Sequence, residues 1–222
     1  MAIERQTVAV PSARARVRRL FDGGTTGNER LTAATGGVLI VLLAVIGVTI
    51  IKLGPLLSVH LFVGTVLIGP LALKLGSTGY RFVRYYTSDA RYRSKGPPPL
   101  PLRLMAPMVV ISTLVVFISG VALLFAGPSS RGTLFPIHKL SFFVWVAFAA
   151  VHVLAHLPTV WDALRADYGG TSARSDVAGL RQDDANGRAG RALSLASALT
   201  LGVVMAVLVI PEFGPWLANH HH

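Results

Sequence analysis

Three histidines stand in one apolar stretch of this 222-residue chain, Pro136–Pro158 (PIHKLSFFVWVAFAAVHVLAHLP): His138, His152 and His156. A neutral imidazole is a metal ligand, and a titrating one carries protons. On a helix the fourteen residues from His138 to His152 give about 21 Å of rise and return to within about 40° of the same face. Two imidazoles so placed sit on one side of a membrane helix near opposite surfaces of the bilayer, the spacing that stacked haems need. A second apolar run carries His60 and, fourteen residues on, Lys74. Counted from Pro55 and Pro136, His60 lies five residues into its run and His138 two. That offset is about 4.5 Å of rise, small enough for helix tilt to absorb. His60 and His138 can therefore face each other in one plane. A bis-imidazole haem b needs such a pair on facing helices of a low-dielectric bundle.

Other side chains bear on the same chemistry. Gly64, one turn below His60, leaves room either for a flat macrocycle or for close helix packing. Arg131 and Lys139 stand at the same surface, where propionates or lipid headgroups can meet them. A single intramembrane histidine reads as a hydrogen bond to a neighbouring helix. Two at matched depth, with a third fourteen residues on, favour haem. Zinc is disfavoured, since His152 and His156 make only an i, i+4 pair and no compact trio of ligands is visible. A proton or ion path finds no intramembrane carboxylate.

The elements that must position these groups are membrane helices. The chain is 52% hydrophobic and 14% charged, with a mean hydropathy of +0.58, which places it among integral membrane proteins. Five charge-free runs are long enough to cross the hydrocarbon core: Leu31–Ile51, Leu53–Leu73, Leu104–Ser130, Leu140–Trp161 and Ala192–Pro211. Backbone groups there must be satisfied internally, so each run is a helix. The expected fold is all-α: a polytopic four-helix haem-binding bundle (31–161) plus a fifth transmembrane helix. Pro55 and Pro136 suit first helical turns, and Pro70 should kink the second helix.

Residues 1–30 read as a cytoplasmic basic leader, with FDGGTTGN (21–28) as a flexible approach to the membrane. The PPPLP segment (97–101) reads as a stiff spacer. Residues 162–190 read as a cytoplasmic loop opening on a short interfacial helix (WDALRADY), and 191–219 as the fifth helix and an outer tail. His220, His221 and His222 read as part of a purification tag. With the N-terminus inside, 17 of the 21 Lys and Arg fall on the cytoplasmic side and 3 outside. That bias predicts a bacterial-type plasma membrane protein with its C-terminus outside. The net charge of +11 then reads as basic loops against anionic lipid, not as a nucleic-acid surface. The chain has no cysteine, which excludes disulfides, iron–sulfur ligation and covalent haem attachment.

These residues resemble a known group. HLFVG (60–64) is similar to the H-x-x-x-G of the second helix in bacterial di-haem cytochrome b subunits, which anchor formate dehydrogenases, nickel–iron hydrogenases and some molybdopterin enzymes to the membrane. His138 and His152 resemble that family's paired fourth-helix ligands, and ERLTAA (29–34) its E-R-x-x-H-W lead into helix one. The resemblance implies haem b (one or two), a quinone, and a molybdopterin or iron–sulfur partner subunit. It also marks a departure: Ala33 stands where the family's helix-one histidine holds the cytoplasmic-side haem. His152 is then left without a histidine partner on another helix. Lys74 and His156 are candidate substitutes, although an amine snorkelling to the headgroups is the favoured reading of Lys74. The leading expectation is a membrane cytochrome passing electrons between a quinone pool and a partner oxidoreductase. A haem-free anchor or assembly subunit, and more remotely a small transporter, are the alternatives.

Overall fold

The computed structural model describes residues 24–87, 100–168 and 178–218. Most of the basic leader, most of the proline-rich connector and the closing histidines lie outside these residues. The elements are α1 (Gly24–Ile51), α2 (Leu53–Val66), α3 (Ile68–Tyr86), α4 (Leu100–Ala126), a 3₁₀ turn (Pro128–Ser130), α5 (Arg131–Tyr168), α6 (Ala178–Leu208), a second 3₁₀ turn (Ile210–Phe213) and α7 (Gly214–Ala218). Among the described residues there is no strand. Among the described residues, five segments are long and apolar enough to cross a membrane: Gly27–Ile51, Leu53–Tyr86, Arg103–Ala126, Pro128–Pro158 and Gly187–Leu208. The chain is an all-α, multi-pass membrane protein.

At the expected kink of the second span the helix bond ladder is broken, although Leu67 itself keeps helical dihedrals. Pro70 has no N–H to offer the carbonyl of Val66, and the span divides there into α2 and α3 at Leu67. Regular bonds resume on both sides, from Leu67 N–H to Val63 O at 3.0 Å and from Leu71 N–H to Leu67 O at 2.9 Å. The fifth span docks on this break. A Cβ at Gly202 would meet the carbonyl of Val66, and one at Gly69 would meet the carbonyl of Ala198. The crossing of α6 over the second span thus exists only because both residues are glycine, the small-residue contact by which membrane helices approach closely.

Several helix ends depart from expectation. The third span stops at Ala126, because Gly127 takes a left-handed φ of 72° and its N–H bonds Leu123 O at 3.2 Å. The fourth span then starts at Arg131, so Pro136 lies in its second turn and not its first. Residues 161–168 are the tail of α5 and not a separate interfacial helix, and α6 begins at Ala178. The segment expected as a loop over 162–190 is therefore helical at both ends. Glycines of the FDGGTTGN stretch join α1 from Gly24 onward.

The core is small and partly polar. Thr35, Thr49 and Pro70 are the largest of its fully buried side chains, while many large apolar residues of every span face outward, as lipid contact requires. Buried hydroxyls bond carbonyls of their own helices, Thr35 to Leu31 O at 2.8 Å and Thr65 to Leu61 O at 2.9 Å. At the Lys/Arg-rich end, Arg165 stacks over Trp161 at 4.7 Å and Arg84 over Tyr80 at 5.9 Å. Such aromatic–cation pairs suit a headgroup layer. The most extensive helix contact is α4 with α5; α1 packs on α2, α3, α5 and α6. The half of the second span that carries His60 packs on α1 and α6, and at most sparsely on α5.

Candidate cofactor site

The gap left between α2 and the α4–α5 pair is a cavity of about 370 Å³, within the range of small-molecule and cofactor sites. His60, Gly64, Arg131, His138 and Lys139 all line it. The structure thus brings together the histidine pair expected from depth, the glycine below it and the two cations at its surface. A Cβ at Gly64 would meet nothing within 4 Å. This glycine opens onto free space and serves no close helix contact.

Both imidazoles are fixed from behind. Thr49 of α1 has one hydroxyl proton, which it donates to Ile46 O at 2.7 Å. With the proton so placed, its oxygen accepts from His60, whose Nδ1 lies 2.9 Å away. Ser119 of α4 likewise donates to Val116 O at 3.1 Å. His138 Nδ1 lies 3.1 Å from both Ser119 Oγ and Val116 O, and a carbonyl only accepts, so this nitrogen also carries its proton. In each ring Nε2 keeps its lone pair. A histidine that holds a metal donates its other ring N–H in this way, which sets tautomer and orientation. Room for the His138 ring comes from Gly120, where a Cβ would stand 2.9 Å from Cε1.

The apolar walls are anchored too. Trp145 donates its indole N–H to Thr113 Oγ1 at 2.9 Å. Trp216, on α7 after the fifth span, donates to Leu124 O at 3.2 Å and packs with Leu57, Leu124 and Phe213. Both tryptophans line the cavity. The C-terminal tail is therefore part of the site, folded back through the turn at Ile210–Phe213. Thr49, Ser119, Gly120 and Trp216 carry no sequence signal that separates them from ordinary small or aromatic residues of a membrane span.

Comparison with protein-family models, curated proteins and solved structures found no match. The likeness to di-haem cytochromes rests on the short motifs alone.

Lys74, His152 and His156 do not line this cavity. Lys74 does not snorkel away from the bundle: its Nζ donates to Thr32 O of α1 at 2.7 Å. Around it, Thr32 bonds Ser77 Oγ at 3.0 Å and Asn28 donates to Ser77 O at 3.1 Å. A Cβ at Gly36 would sit 3.1 Å from Lys74 Nζ and 3.8 Å from Val160 Cγ2 of α5. The His152 and His156 rings stack obliquely, centroids 4.6 Å apart. His152 Nδ1 is buried without a hydrogen-bond partner. Among the described residues no group of three or more His, Cys, Asp or Glu gathers to hold a metal by side chains alone. His60 and His138 open on one cavity and could hold an ion whose remaining positions another group fills.

Proposed function

We propose that this chain is a b-type membrane cytochrome that holds haem between His60 and His138. The observation that carries the reading is the shared cavity into which both histidines open, each with Nδ1–H tied back and Nε2 free. Neutral, pre-oriented imidazoles on separate helices meet the ligand requirement of a six-coordinate haem. Arg131 and Lys139 supply positive charge at the rim for propionates. Trp145, Trp216 and the aliphatic wall exclude water, which together with the axial ligands sets the reduction potential. When bound, the haem supplies one-electron chemistry; the chain's own part is ligation, burial and orientation. From the family resemblance, the electrons pass between a membrane quinone and a partner oxidoreductase of the molybdopterin or iron–sulfur kind.

Ala33 favours a second reading, a haem-free anchor or assembly subunit that retains a cytochrome-like bundle. The absorption spectrum of the purified protein separates the two. A cytochrome shows a Soret band and a sharp α band on dithionite reduction, and His60→Ala removes them. Protein that stays colourless after expression with added haem precursor, or after reconstitution with haemin, contradicts the cytochrome reading and leaves the anchor.

A further inference from the structure

The end of the bundle holding Lys74 and His152 is built differently from the His60 end, and three independent features separate them. The first is the ligand set. Ala33 replaces the only residue of α1 that the family resemblance offers as partner to His152, and it is buried. The second is space. At the His60 end α2 stands apart from α5 and a cavity opens between them. At the other end α1 packs directly on α5, and the Lys74 amine reaches into their junction, bonded to Thr32 O and close against Gly36. The amine ties α3 to α1 with a bond from a nitrogen that would otherwise have to ligate. The third is orientation. His60 and His138 each have an acceptor behind Nδ1, while His152 Nδ1 has none. An axial histidine without that acceptor has neither its tautomer nor its ring angle fixed.

Resting on the cytochrome reading, we infer that the chain carries one haem, at the His60–His138 end, and that Lys74 closes the other site as a clasp between α3 and α1. The functional consequence is one-sidedness. The hydrocarbon core is about 30 Å thick, and His152 lies about 21 Å along the axis from His138. Without a redox centre at that depth, electrons have no intermediate stop on the way across the membrane. Donor and acceptor must therefore both exchange electrons with the haem near the surface that carries Arg131 and Lys139. The protein is then a shuttle point on one face and not a transmembrane relay.

The stoichiometry tests this directly. A pyridine haemochrome assay on purified, haem-replete protein should give one haem per chain. His152→Gln and Lys74→Met should each leave that ratio and the reduced spectrum unchanged. A ratio of two, or loss of haem in His152→Gln, overturns the one-haem inference while leaving the cytochrome reading standing; a ratio of zero removes both. Sidedness gives a second readout that needs no variant to fold. Dithionite, which does not cross the bilayer, should reduce the haem quickly when added to sealed vesicles of one orientation and at least tenfold more slowly in vesicles of the opposite orientation. Equal rates in both would overturn the inference.

Discussion

At the scale of single residues, the site depends on three small residues behind the two imidazoles, Thr49, Ser119 and Gly120. Thr49→Val keeps the shape of the side chain and removes the acceptor for His60 Nδ1–H. Loss of such a partner costs about 10–100-fold in metal affinity. Thr49→Val should therefore release haem to an apo-globin acceptor at least tenfold faster than wild type, while still showing a reducible spectrum; an unchanged release rate would mean that His60 is not oriented by Thr49. Gly120→Ala places a methyl 2.9 Å from His138 Cε1, so the ring must turn. Its expected signature is a shifted Soret band with less haem per chain, read by absorption against protein concentration. The histidine pair was open to sequence reasoning because ionisable residues are rare in a span and depth can be counted from the prolines. Thr49, Ser119 and Gly120 were not. Small and hydroxylic residues are common in membrane helices and normally bond their own backbone, so only coordinates tell which of them faces a histidine.

Among the elements, the second span and the C-terminal tail do most to shape the bundle. Pro70 breaks the second span, and the glycines at 69 and 202 let α6 cross at the break. Gly202→Leu would force a side chain onto the carbonyl of Val66. Overpacking of this kind costs about 1–3 kcal/mol, and a lowered thermal midpoint in detergent should follow, with the haem spectrum intact below it. The tail acts on the cavity itself. Trp216 is 8% exposed and bonds Leu124 O across 92 residues of sequence. Trp216→Ala should speed haem loss and shift the reduction potential through greater water access, and Trp216→Phe should restore most of both. If Trp216→Ala kept wild-type haem and potential, α7 would not belong to the site. The break at Pro70 followed from the missing N–H and could be expected from the chain. The return of the tail could not, because a five-residue helix after a terminal span carries no periodicity that indicates where it packs.

For the whole molecule, the five spans were legible because a run of about 20 apolar residues has few other uses. The limits of the helices were less so, since α5 gains a turn before Pro136 and runs on past the apolar span to Tyr168. Orientation rests on the distribution of Lys and Arg. Alkaline phosphatase fused after Ala218 should be active, and the same enzyme fused after Thr87 inactive; the reverse pattern would invert the topology. The asymmetry between the two ends of the bundle also belongs to this scale: a polar clasp at one end, a cavity with two oriented histidines at the other. The claim that matters most is that those histidines jointly ligate one iron. Electron paramagnetic resonance of the oxidised protein tests it most directly. A low-spin six-coordinate ferric signal is expected, lost in both His60→Ala and His138→Ala and kept in His152→Ala. A high-spin signal in the wild type, or a low-spin signal that survives either of the first two substitutions, would contradict it.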